Sequence, residues 1–328
     1  VTETNTTSSN DNPFKRLLRH IDRFQRRHPA FGFPYAIIKK YGDDEAGYQG
    51  ALLTYYGFLS LFPLLIVGTS VIDLLTRHNP AVRDKLLNAI SSYLPAIGQS
   101  VQESIHNSSK TGIALILSLL ITLWGAKGVA DALQHALNHV WQVPRPKRPG
   151  FPKGPLKSLG LIVGGGLGLV GTAVLSGYAA SVTHAAAFTL LSYVVSICLL
   201  FCVFTFIMAF GSSSKHSFHE NFPGAIMAAV GLFILQTVGI VLVKHQLKNA
   251  TGAYGQFGLV LALLFWLYLQ ARLFLYAAEL NTVKALKLWP RGLIQEDLTP
   301  ADKRALKLYP RREQYLPRDH EDIEVDIA

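Results

Sequence analysis

Residues 254–280, from Tyr254 to Leu280, read YGQFGLVLALLFWLYLQARLFLYAAEL, and the fold follows from what can hold such a stretch. A membrane-spanning helix needs about 20 mostly apolar residues, because a rise of about 1.5 Å per residue must cross about 30 Å of hydrocarbon. This stretch is long enough. It also carries Arg272 and Glu279. A charge at mid-depth in a bilayer costs about 3 kcal/mol or more unless it faces protein, a water-filled cavity or headgroups. What those two charges face is therefore the functional question.

Working outward, the same kind of run recurs. Half of the 328 residues are hydrophobic and only 16% are charged, a composition that soluble domains rarely gather into several long apolar stretches. The expected fold is all-α, a polytopic integral membrane protein with six transmembrane helices at about 49–72, 112–134, 156–178, 185–210, 224–243 and 256–281. Around this membrane domain, residues 49–283, lie a disordered tail at 1–12, a basic amphipathic segment at 13–48 and a cytoplasmic tail at 284–328. The first 48 residues lack the compact apolar core of a cleavable leader. Cys198 and Cys202, four apart in an apolar run, suit reduced packing thiols better than a disulfide or a metal site.

Before the first span, Phe14, Leu17, Leu18, Ile21 and Phe24 share one helical face, with Lys15, Arg16, Arg19, Arg23, Arg26 and Arg27 around it. Such a helix lies on an anionic leaflet, apolar side down, or docks on the protein's own cytoplasmic face. Pro29 and Pro34 break it, leaving a short segment from Tyr35 to Tyr41. Between Asn79 and Lys110, helical spacing among charges predicts one or two extramembrane helices. Pro63 inside the first span predicts a kink, with Ser60 near the freed carbonyl. Gly160, Gly164, Gly168 and Gly171 form a small-residue stripe suited to close helix packing.

Lysines and arginines set the orientation. Counting the segments that six spans place on one side gives 23 of the 31, against six on the other. Both termini are then cytoplasmic. The net charge of +10 becomes mainly a topology signal, which removes the main support for a nucleic-acid partner and leaves anionic membrane lipids as the expected one.

Lys127 and Asp131 are one turn apart in the second span, and Arg272 and Glu279 nearly two turns apart in the sixth. From the outer helix ends, Lys127 lies about 23 Å deep and Arg272 about 26 Å, so the two cations fall at similar depth in the cytoplasmic half. The four residues form either a polar patch for an anionic headgroup or coupling ion, or a set of snorkelling helix anchors. Asp131, His135 and His139 also share a face, but with no second ligand cluster the sequence predicts no metal and no cofactor. There is no GxxxxGK[ST] phosphate loop to bind ATP and no GxSxG nucleophile elbow.

A family resemblance rests on specific residues. Tyr55 to Pro63 (YYGFLSLFP, including Tyr56 and Ser60) lies in the first span, Ala136 to Trp141 (ALNHVW, including Asn138) after the second, and Phe222-Pro223-Gly224-Ala225 at the start of the fifth. In the sixth come Tyr254-Gly255, Trp266 to Leu269 and Ala278-Glu279-Leu280. In this order and spacing the chain resembles the YihY/BrkB family of bacterial inner-membrane proteins, once labelled ribonuclease BN. The resemblance implies a six-helix membrane domain without a catalytic site, in a family for which transport of lipid or a lipopolysaccharide precursor and resistance to serum killing have been suggested. It departs at Ala277, where the family pattern usually has glycine.

The sequence thus predicts a non-enzymatic transporter or translocation factor for lipid or another amphiphile, independent of ATP, with a membrane scaffold or envelope-integrity factor as the alternative. The tRNA-processing nucleases that share the ribonuclease BN label need a two-metal His/Asp cluster such as HxHxDH, which the sequence lacks.

Overall fold

The structure is a computed structural model that describes residues 13–75, 112–182, 186–214, 216–250, 255–294, 298–313 and 315. The expected tail at 1–12, the helices expected between Asn79 and Lys110, Tyr254 and most of the acidic end lie outside the described residues. What is described is helical: α1 (Pro13–Arg27), α2 (Pro29–Asp43), α3 (Ala46–Leu75), α4 (Gly112–Val140), α5 (Lys153–Val182), α6 (Ala186–Gly211), α7 (Phe222–Ala250), α8 (Gly255–Ala285) and α9 (Pro300–Arg312). Three stretches are long and apolar enough to cross a membrane, at Tyr193–Gly211, Phe218–Gln236 and Val260–Ala285.

α8 is the hub, packing against α2, α3, α4 and α7. Its inner turns carry Leu275, Ala277, Ala278, Glu279, Asn281, Thr282 and Val283, each at most 1% exposed. Small residues let the neighbours come this close. A Cβ on Gly224 would stand 2.1 Å from the Ala277 carbonyl oxygen, and one on Gly239 would stand 2.0 Å from the Trp266 ring. Asn281 fastens the same junction. It accepts from the Gly224 N–H at 2.6 Å and donates to the Asn221 carbonyl at 3.2 Å.

The other helix pairs use the same device. Gly160, Gly164 and Gly168 of α5 receive Phe210, Phe206 and Val203 of α6, whereas Gly171 has open space beside it. Gly125 and Gly128 of α4 receive Ser60 and Tyr56 of α3, so two residues of the first motif act as packing knobs. The Ser60 hydroxyl donates to the Gly57 carbonyl at 3.0 Å, and α3 continues through Pro63 to Leu75.

The proline reading needs one correction. Pro29 starts a helix, as its missing N–H permits at a first helical position, but Pro34 lies inside α2, which runs for 15 residues to Asp43. α2 packs on α8 and α1, and that tertiary contact outweighs the one backbone bond Pro34 removes. The loop expected after the fifth span is also helical as far as Ala250. The segment expected as a tail after residue 284 contains α9, whose first turn is closed by a Thr299–Asp302 capping box.

Candidate functional site

Two polar centres lie against the cytoplasmic half of α8 as the charge rule orients it. The first is fully buried. Lys40 of α2 donates to Glu279 Oε2 at 2.6 Å, to Asp44 Oδ2 at 2.6 Å and to the Val140 carbonyl at 2.9 Å, and the three charged side chains are 0% exposed. All three ammonium protons are used. Burial alone would lower the Lys40 pKa, but Asp44 and Glu279 outweigh it and hold the ammonium above its ordinary value. Gln142, in a left-handed turn just after α4 (φ 54°), donates to both Asp44 oxygens at 2.8 and 3.0 Å. Arg312 of α9 reaches the same carboxylate at 3.1 Å. Two cations therefore balance two carboxylates, and α2, α4, α8 and α9 are tied at one point.

The second centre surrounds Arg272, seven residues earlier on α8. Its guanidinium carbon stands 5.7, 5.6 and 5.8 Å from the ring centres of Tyr41, Tyr268 and Tyr276, within cation–π range. Its hydrogen bond goes to the Tyr276 hydroxyl at 3.4 Å. Tyr268, Arg272 and Tyr276 recur every four residues, which puts them on one face. Tyr41 comes from α2 and stacks on Tyr276 at 4.0 Å. No carboxylate among the described residues pairs with Arg272.

The four charges singled out in the sequence thus occupy three settings. Lys127 pairs with Asp131 on an exposed part of α4, and Asp131 also accepts from Ser158 of α5. Arg272 faces tyrosines. Glu279 faces Lys40. Arg272 and Glu279 share a helix but not a partner. Sequence reasoning missed Lys40, Asp44, Tyr41, Tyr268 and Tyr276. The regular spacing of the two α8 tyrosines about Arg272 was a readable signal, whereas nothing local marks Lys40 as the partner of Glu279.

The remaining motif residues are structural joints. Asn138 accepts from the Ser213 N–H at 2.7 Å, and Trp141 stacks on His216 at 3.8 Å, so the end of α4 holds the loop that leads into α7. Pro223 and Gly224 open α7, Gly255 opens α8 and Trp266 is 4% exposed. Cys198 and Cys202 are free and exposed rather than packed inward. His135 and His139 stand 6.3 Å apart, and Asp131 is engaged by Lys127 and Ser158. Burial and the nearby Arg312 push the His139 pKa down to about 4. Among the described residues no group of three or more His, Cys, Asp or Glu gathers as a metal would need.

On α1, Lys15, Arg16, Arg19, Arg23, Arg26 and Arg27 lie on one helix. Its apolar residues Leu17, Ile21 and Phe24 are 57%, 46% and 49% exposed. Its polar edge is what meets the protein: Gln25 donates to the Arg291 carbonyl at 2.6 Å, and Asp22 accepts from the Leu293 N–H at 2.7 Å. The docked edge and the apolar stripe differ by about 100° around the axis, so docking leaves the stripe uncovered. The contacted loop is rigid in its turn. Arg291 bonds Asp302 at 2.5 Å and Asp43 at 2.8 Å, and Lys39 donates to the Gly292 carbonyl at 2.5 Å.

A sequence model of the family described as virulence factor BrkB matches residues 37–292. The protein YfkH of Bacillus subtilis (strain 168), whose name describes it as ribonuclease-like, is 26% identical over 262 residues, covering 75% of this chain and 93% of its own length. A UPF0761 membrane protein of Alkalilimnicola ehrlichii is 24% identical over 268 residues, 78% of this chain and 59% of that longer protein. The inner membrane protein YhjD of Escherichia coli (strain K12) is 22% identical over 279 residues, 77% of this chain and 81% of its own. No solved structure matches.

Proposed function

Because the chain belongs to the BrkB family of membrane proteins, we propose that it is a multi-pass protein of the bacterial inner membrane that moves a lipid or another amphiphile without ATP. The observation that carries this reading is Arg272. It is a partly exposed cation on a helix apolar enough to cross a membrane, with tyrosines and, among the described residues, no carboxylate for company. A cation at that depth is costly and is normally kept for a substrate or ion path.

In this reading α3 to α8, each 26 to 31 residues long, carry the six spans, the second of which ends near residue 134, ahead of His139. The lysine and arginine asymmetry puts both termini in the cytoplasm, and the name of the relative YhjD supports the inner membrane. The uncovered stripe of α1 rests on the anionic leaflet, making membrane lipids the partner and leaving no role for nucleic acid. A scaffold without substrate is the second reading, favoured by the shut Lys40–Glu279–Asp44 centre. The ribonuclease-like name of one relative finds no ligand cluster to support it among the described residues.

The test is reconstitution into liposomes with translocation of labelled lipid. Wild type should move at least one lipid class, and Arg272→Ala should abolish movement at equal abundance and insertion. No movement of any lipid class by the wild type removes the transport reading in favour of the scaffold.

A further inference from the structure

We infer that the tyrosine-flanked face around Arg272 is a binding site for a phosphate ester, an inference that rests on reading Arg272 as the substrate-handling residue. The polar groups gathered there can donate. A guanidinium presents five N–H groups in a rigid fork suited to phosphate, and Arg272 spends one on the Tyr276 hydroxyl at 3.4 Å. The rings of Tyr41, Tyr268 and Tyr276 flank it, and each carries a phenol hydroxyl. No acid among the described residues neutralises the cation. Such a set asks for an anion.

Two further observations point to a ligand. Tyr41 is 8% exposed, yet its hydroxyl completes no hydrogen bond of good geometry and has the Arg272 guanidinium beside it, a state that buried polar groups seldom keep without an absent partner. The hydroxyls also converge on α3. A Cβ on Gly47 would touch the Tyr268 oxygen at 3.8 Å and the Tyr41 oxygen at 4.0 Å, and one on Gly50 would touch the Tyr268 ring at 3.4 Å and Arg272 Cγ at 3.8 Å. The missing side chains at Gly47 and Gly50 thus leave a methyl-sized space that both hydroxyls and the arginine stem border.

Geometry selects the anion class. The donors come from two helices, with Tyr268 and Tyr276 one turn to either side of Arg272, so they approach from more than one plane. That suits a tetrahedral phosphate better than a planar carboxylate. The arginine lies about 26 Å from the outer end of α8, inside the inner part of a hydrocarbon core about 30 Å thick and within side-chain reach of the inner-leaflet phosphates beyond it.

The experiment is native mass spectrometry of the detergent-solubilised full chain with phosphatidic acid, phosphatidylglycerol, diacylglycerol or inorganic phosphate. Wild type should retain both phospholipids at least tenfold more than diacylglycerol. Arg272→Gln should lose that preference, and Tyr41→Phe should weaken it several-fold. Gly47→Val keeps the arginine but fills the space and should also lose it, which guards against a folding defect in the arginine variant. If millimolar inorganic phosphate displaces the lipid, the site takes the phosphate group itself; if it does not, the ligand is the lipid ester. Equal retention by wild type, Arg272→Gln and Gly47→Val, or equal retention of diacylglycerol, overturns the inference. Because retention is read without transport, phospholipid binding with no translocation would leave the site standing and remove only the transport reading.

Discussion

Lys40 and Glu279 are 239 residues apart in sequence and 2.6 Å apart in space, with neither side chain exposed. The pair fixes the short helix α2 to the C-terminal end of the hub helix. From Gly255, Glu279 lies about 36 Å along α8, beyond a hydrocarbon core of about 30 Å. Lys40 therefore meets it near the headgroup level without itself entering hydrocarbon.

Removing one member of such a centre strands the others. Lys40→Met should destabilise the protein by about 3–5 kcal/mol, because two carboxylates lose their shared cation in a buried place. The double variant Lys40→Met/Glu279→Leu should recover part of that loss. Thermal unfolding midpoints in detergent check both, and a single variant no worse than the double contradicts a coupled pair.

The depressed His139 sets a pH dependence. Its folded pKa of about 4 lies below the ordinary value of 6.5, so between those values the unfolded chain binds a proton that the folded chain refuses. Stability is then fully present above about 6.5 and falls as the pH drops towards about 4. His139→Gln should flatten this part of the profile, measured as unfolding midpoint against pH. An unchanged slope would mean that other groups carry it.

Glycines on the same fold make opposite predictions. Gly224→Ala drives a Cβ towards a backbone oxygen 2.1 Å away, so α7 must leave α8 and the yield of folded protein should collapse. Gly171→Ala meets nothing within 4 Å on α5 and should be neutral or stabilising by up to about 1 kcal/mol, since alanine loses less freedom in a helix. Expression with size-exclusion profiles separates the two.

The α1 stripe should touch lipid. Spin labels at Ile21→Cys and Phe24→Cys, in a Cys198→Ala/Cys202→Ala background, should be more accessible to oxygen than to a water-soluble nickel chelate in anionic liposomes. A label at Arg23→Cys, on the cationic side, should show the reverse. Aqueous readings at both apolar positions would mean that the stripe faces away from the bilayer.

Much of the helical framework was legible in the residues. The apolar run at 185–210 appears as Ala186–Gly211, and the opening stretch as Gly255–Ala285, because hydropathy and length are properties of the run itself. Three of the four glycines in the α5 stripe, Gly160, Gly164 and Gly168, accept a neighbour's side chain, as a small-residue stripe suggests. Partner choice was not legible. Periodicity places Glu279 on a face but cannot say that Lys40, from the short segment read after Pro29 and Pro34, lies across from it. Nor does amphipathicity reveal that α1 docks through Asp22 and Gln25, since those contacts depend on a loop formed near the other end of the chain.

The Lys40–Glu279 contact also bears on the order of biosynthesis. Lys40 is made early and α8 late, so while the intervening helices are being made the ammonium has Asp44 on the nascent chain but not yet Glu279. Its full burial must wait until α8 arrives and supplies the second carboxylate. A ribosome arrested before Glu279 would leave α2 without its seat, exposing a lysine–aspartate pair that marks unfinished assembly.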